Sequence, residues 1–142
     1  MADRAFANGK TNLAGERTIR FKFFVDAGNA PTLPAALTGE SGSPLNNYIS
    51  GVTRVSQGLF RIALSDPYLH HVVTTAQLNV NAAGQQRFAQ PGPVANFGKG
   101  QASLPTVDIL VVDNAGAVQD PAAANANNFI SGTLILGEVA ND

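Results

Sequence analysis

The chain has 142 residues and contains no cysteine and no tryptophan, with only two histidines and two tyrosines. Without cysteine it can form no disulfide, no thiolate zinc site and no thiol nucleophile. Charge is also scarce: Asp, Glu, Lys and Arg make up 13% of residues, about half of the ~25% usual in soluble domains. Net charge is −1, with a sequence pI near 6.0, so no overall field draws the chain to nucleic acid or to an anionic membrane. No apolar run approaches the roughly 18 residues that a membrane helix needs. The opening "MADRAFANGK" has no apolar run behind its charges, so no secretory leader is expected, and synthesis as a soluble cytoplasmic protein is.

A monomer needs charged side chains to keep its exterior solvated and unassociated. A deficit this large predicts an outer surface covered by partners; an exterior rich in Thr, Asn, Gln and Ser is the plainer account. The charges present are polarised along the chain. All nine Lys and Arg lie at or before Lys99, and five of them, Arg4, Lys10, Arg17, Arg20 and Lys22, fall in the first 22 residues. After Gln101 come only acids: Asp108, Asp113, Asp120, Glu138 and Asp142. Such a chain presents either a basic and an acidic end, which would orient a docking module, or two ends that neutralise each other.

What is present is strand pattern. Residues 1–16 have no sustained period, with Phe6 and Leu13 isolated among polar residues, and are read as an extended N-terminal arm; a frayed terminus is the alternative. "RTIRFKFFV" then alternates, with Ile19, Phe21, Phe23 and Val25 on one face and Thr18, Arg20 and Lys22 on the other. Only Phe24 breaks the alternation. The Gly- and Pro-rich stretch from residue 26 to 47 is read as a long loop.

Val52–Val55 and Leu59–Leu64 form a hairpin pattern joined at "SQG", and "SDPY" marks a turn held by Asp66. Leu69–Val80 reads as a longer strand in which His70 shares a side with Val72, Thr74, Ala76, Leu78 and Val80, and His71 faces the other way. Residues 81–105 are read as a second long loop with a short strand near Gln86–Ala89. "TVDILVVD" is nearly continuous in apolar residues and is expected to lie centrally, covered on both faces. "DNAGAVQDPAAANANN" is read as a loop, and "FISGTLILGEVA" as the last strand. No amphipathic helix is found. The expected fold is a single all-β domain over residues 17–142, an antiparallel β-sandwich or barrel with long loops and an N-terminal arm.

Candidate chemistry is sparse. "NGKT" ends like a phosphate-binding loop, but Arg4 stands where the motif needs Gly, and "GPVANFGKG" has Gly100 where Ser or Thr should hold magnesium. Adjacent strand residues point to opposite faces, so His70 and His71 cannot converge on one metal or substrate atom. Asp113 and Asp120 lack the alternating oxygen ligands of a calcium loop, and Asp113-Asn114-Ala115-Gly116 reads as a turn. Asp108, inside an apolar strand, is expected to pair with an arginine, because a bare buried carboxylate is costly. No catalytic, cofactor or metal residue is nominated.

Four segments, "ADRAF", "FFVDAGNAPTL", "GVTRVSQGLFRIALSDPY" and "VQDPAAANANNFISGTLIL", occur in an order that resembles a group of small virion proteins of tailed bacteriophages. The Ala/Asn run at Ala122–Asn128 and the His70-His71 pair depart from the group's pattern. The resemblance implies a capsid cement or decoration protein. It would be a β-rich module, commonly a homotrimer, on the outside of the shell, binding the major capsid protein and needing no cofactor, nucleic acid or membrane. On that reading the arm residues Arg4, Phe6 and Lys10 and the strand residues Arg17, Arg20 and Lys22 are expected to contact the capsid. Phe6 would be the apolar anchor and the bases would be orienting charges.

A receptor- or glycan-binding head-fibre or tail-tip module is the second expectation, with residues 26–47 and 81–105 forming its site. The lack of Trp and the presence of only Tyr48 and Tyr68 leave it few aromatic platforms. An enzyme using Asp66, Asp108 or the histidines is a third possibility that no constellation supports.

Overall fold

The computed structural model describes residues 16–25, 48–80, 86–121 and 128–139. Among these the chain forms seven strands: β1 (Glu16–Phe24), β2 (Ile49–Ser56), β3 (Leu59–Leu64), β4 (Tyr68–Asn79), β5 (Arg87–Ala95), β6 (Thr106–Asp113) and β7 (Phe129–Val139). They make two antiparallel sheets, one of order β1-β7-β4 and one of order β2-β3-β6-β5. The sheets pack against each other as a β-sandwich, the all-β class that the alternation predicts. Of the arm expected over residues 1–16, only Glu16 falls within the described residues, and it opens β1.

The period-2 pattern decides which side chains meet between the sheets. Ile19, Phe21 and Phe23 of β1 and Ile130, Leu134 and Leu136 of β7 are buried from one sheet. Phe60, Ile62 and Leu64 of β3 and Val107, Ile109 and Val111 of β6 are buried from the other. Phe23 and Phe60 meet across the interface with ring centroids 6.0 Å apart, and Phe21 stacks beside Phe23 at 6.2 Å. Each such side chain contributes about 1.5–3 kcal/mol by leaving water. Between Ile130 and Leu134, Gly132 breaks the row of large side chains for a steric reason. A Cβ there would collide with the main-chain carbonyl of Thr75 on β4 and would lie 2.8 Å from the Phe21 ring.

The hairpin expected at "SQG" is the β2–β3 turn, with Gly58 at φ +69°. Its left-handed backbone favours glycine. Space demands glycine as well, because a Cβ would lie 2.6 Å from Val118 and 2.7 Å from the carbonyl of Gln119.

Two expectations are corrected and one is borne out. The first correction concerns the segment expected as a long loop with a short strand: among its described residues, 86–105, Arg87–Ala95 is a nine-residue strand. Its prolines hid it, yet Pro91 and Pro93 are tolerated because β5 lies at a sheet edge and its register shifts between Pro91 and Val94. The turn expected at Asp113-Asn114-Ala115-Gly116 is present, with the Gly116 amide donating to the Asp113 carbonyl at 3.0 Å. The Asp113 carboxylate accepts from the amides of Ala115 (2.9 Å) and Ala117 (3.0 Å), and Val118 bridges back to Val112. The other correction concerns Asp66, whose carboxylate does not hold its own turn. The Asp66 carbonyl does that, accepting from the Tyr68 amide, while its side chain turns to Arg17.

β6 lies between β3 and β5, as its apolar run predicts. Its one acid, Asp108, stands directly opposite Arg61 and receives both arms of the guanidinium, at 2.8 and 3.0 Å. Gly92 of β5 passes so close to Asp108 that a Cβ would sit 3.1 Å from its carbonyl oxygen. The Asp108 side chain is therefore only 5% exposed, while that of Arg61 is 43% exposed. This asymmetry makes a prediction. Arg61→Ala strands a buried carboxylate and is expected to cost about 2–3 kcal/mol, whereas Asp108→Ala leaves an arginine that can turn to water and costs about 1 kcal/mol. Urea unfolding midpoints of the two variants measure the order; equal losses would contradict it.

Candidate partner-binding face

The outer face of the β1-β7-β4 sheet holds two of the residues expected to bind a partner. The register sets Arg20 opposite Thr133, Lys22 opposite Ser131 and Phe24 opposite Phe129, all on the side away from the core. Across β7, Thr75, Gln77 and Asn79 of β4 continue the same rows. The result is a face of hydroxyls and amides with basic side chains along the β1 margin and the apolar pair Val73 and Ile135 beyond Thr133. Arg20, Lys22, Ser131 and Thr133, with the backbone at Phe21 and Gly132, line a shallow depression of ≈ 270 Å³.

At one end of this face, the residue that broke the alternation finds its reason. Phe24 packs edge-on against Phe129 at 6.1 Å, and the Lys22 ammonium lies 4.2 Å from the Phe129 ring centroid and 5.4 Å from that of Phe24. A cation over a ring is favourable by about 0.5–1 kcal/mol at a solvated site, so the lysine is held close to the sheet. On the β4 side, the Thr75 hydroxyl accepts from the Thr133 amide at 3.1 Å, tying the polar rows together.

Arg17 does not belong to this face. Its odd position places it with Ile19, Phe21 and Phe23, at the end of the inner row. There its guanidinium donates to the Tyr68 hydroxyl at 2.9 Å and the Asp66 carboxylate at 3.2 Å, and stacks 3.8 Å from the Tyr48 ring centroid. The hydrogen bond to Tyr68 comes first among the influences that hold the guanidinium pKa above its ordinary value. Burial pushes the Tyr68 hydroxyl up, with Arg17 opposing. Tyr48 sits at φ +64°, an uncommon conformation for a non-glycine residue. Arg17 is thus committed to joining the start of β1, the entry to β2 and the β3–β4 turn. Of the other residues expected to bind, Arg4, Phe6 and Lys10 lie outside the described residues.

The adjacent histidines do point apart, but in the opposite sense to the simple alternation. A bulge between His71 and Val73 inserts one residue into β4. His71 therefore joins the buried Thr74 on the inner side, sharing a 2.6 Å hydrogen bond with its hydroxyl and packing 5.7 Å from the Phe97 ring. His70 stays exposed. Burial lowers the His71 pKa. Among the described residues, no group of three or more His, Asp or Glu is placed to hold a metal. No helix there is long and apolar enough to cross a membrane.

No protein-family model, curated protein or solved structure matches the chain.

The inner histidine generates a pH prediction. Its folded-state pKa lies below the unfolded value of roughly 6.5, so the unfolded chain binds more protons in that window and stability falls as pH drops through it. Lowering pH from about 7.5 to about 5.5 is expected to reduce the Tm of the native protein more than that of His71→Gln. Equal losses would show that His71 is not the responsible group.

Proposed function

We propose that the chain is a non-enzymatic structural protein of a tailed-phage head, which binds the outside of the major capsid protein shell and stabilises it. The resemblance over four ordered segments supplies the partner. The observation that carries the reading is how the surface is made. Among the described residues, Arg17, Arg54 and Arg61 are each engaged by an aspartate, at 3.2, 2.6 and 2.8 Å. Large apolar side chains stand outside instead: Val72 is 53% exposed and Phe88 56%, with Val55, Val73, Val94, Leu104 and Val118 also exposed. A surface with paired charges and exposed apolar groups suits contact with neighbours.

Arg20 and Lys22, on one polar face, are the bases that orient this module against an acidic shell surface. The arm residues Arg4, Phe6 and Lys10 are assigned the same partner. Ion pairs at such a rim set orientation and on-rate, while apolar and main-chain contacts supply most of the affinity. Repetition over a symmetric shell then multiplies many modest contacts.

The test is co-sedimentation with heads that lack the protein. The native chain is expected to pellet with them, and the double variant Arg20→Glu, Lys22→Glu to bind at least tenfold more weakly while keeping its Tm within a few degrees. Failure of the native chain to pellet would overturn the reading. Selective binding of a glycan by the native chain would favour a receptor-binding module instead.

A further inference from the structure

We propose that β1 is a self-association edge, along which a second copy of this chain adds antiparallel about a two-fold axis centred on Ile19. The inference stands on backbone geometry and charge placement and does not depend on the shell reading.

The four outer strands of the sandwich differ in how they treat their edges. β5 carries Pro91, Pro93 and a register shift. β2 has irregularities between Ile49 and Gly51 and between Arg54 and Ser56. β4 is bulged after His71 and lies against the β5 side of the other sheet, where the Gly98 amide donates to the Tyr68 carbonyl at 3.2 Å. Prolines, bulges and charged side chains are the usual means by which a sheet edge is closed to further pairing. β1 has no proline and no bulge, and its edge charges, Glu16, Arg20 and Lys22, close it only in registers that set like charge against like. From Glu16 to Phe24 it pairs with β7 in nine consecutive positions without a shift, and no described strand runs along its other side.

The hydrogen-bond phase identifies which groups face that side. The Val25 amide donates to the Asn128 carbonyl at 2.8 Å, so the odd-numbered residues of β1 point their main-chain groups at β7. In an antiparallel ladder the alternate residues then point theirs the other way. Glu16, Thr18, Arg20 and Lys22 present their N–H and C=O groups along the outer edge.

Charge selects the register. With the axis at Ile19, paired residue numbers sum to 38, so Thr18 meets the partner's Arg20 and Glu16 meets the partner's Lys22, twice over. Every pair with outward main-chain groups then meets its counterpart, and Ile19 faces its own copy on the core side. Centring on Arg20 would oppose two guanidinium groups, and centring on Phe21 would oppose Arg20 to Lys22; like charges directly opposite are destabilising. Centring on Thr18 sets Glu16 against Arg20 but shortens the span from residues 16–22 to residues 16–20. The Ile19 register makes one continuous six-stranded sheet from two three-stranded ones. Its outer face carries the basic margin of each copy on either side of the axis. Such an isologous contact closes at two copies, where the phage resemblance implies three.

The experiment is solution mass of the full chain over a concentration series, alone and with edge variants. A mass of two chains is expected. Thr18→Pro removes an outward N–H without touching the β7 ladder and is expected to raise the dissociation constant at least tenfold, with strand content unchanged by circular dichroism. Should Thr18→Pro fail to fold, charge decides: Glu16→Lys and Lys22→Glu each weaken the dimer, and the two together restore it. A chain that stays monomeric at every concentration, a mass of three chains, a folded Thr18→Pro variant that dimerises like the native protein, or a double variant no better than the singles would overturn the proposal.

Discussion

The packing of two alternating inner faces is the constraint on which everything else depends. Phe23 of one sheet against Phe60 of the other fixes the separation at which Ile62, Ile109, Ile130 and Leu134 are buried. Because side-chain direction has a period of two, fixing the inner row of a strand also fixes its outer row. Arg20 and Lys22 are turned away from the core because Ile19, Phe21 and Phe23 are turned towards it. A candidate binding face thus follows from core packing, without any local signal of its own.

The few charges are divided between two tasks. Arg54 and Asp120 form a forked pair at 3.0 and 2.6 Å, and the same carboxylate accepts from the Gly58 amide at 2.8 Å, locking the β2–β3 turn to the chain after β6. Arg61 neutralises Asp108 within the second sheet, and Arg17 ties three chain segments at one corner. The Arg17–Asp66 pair, partly exposed on both sides, is worth little, about 0–1 kcal/mol, and its main effect is to choose one arrangement of turns over another, whereas Arg61 offsets the cost of a buried carboxylate. Arg20 and Lys22 lie along the outer face of β1. Among the described residues, the mid-chain Arg54 and Arg61 meet the late Asp120 and Asp108, and Arg17 meets Asp66.

Legibility followed the strength of the alternation. β1 and β3 could be read because their large apolar residues recur at every second position, and β6 because its apolar run is nearly continuous. That Asp108 takes an arginine partner followed from the cost of a lone carboxylate in a buried strand, but which arginine did not. β5 escaped because proline and glycine speak for loops unless a strand lies at an edge, and edge position is a tertiary fact. The sides of His70 and His71 were assigned in reverse because a bulge has no signature in "HHVVTT". Arg17 was grouped with Arg20 and Lys22 by charge, although its odd position already placed it with Ile19. The Lys22–Phe24–Phe129 cluster joins residues more than a hundred positions apart, so single-strand periodicity could flag Phe24 as anomalous but could not supply its partner.

The proposal that this sandwich turns its β1-β7-β4 face towards a viral shell is tested by an electron cryomicroscopy reconstruction of heads incubated with the purified chain. Added density is expected on the outer surface at local symmetry axes, into which the sandwich fits with Arg20 and Lys22 against the capsid protein. Heads with no added density, or density that accepts the sandwich only with the β2-β3-β6-β5 face against the shell, would contradict the proposal.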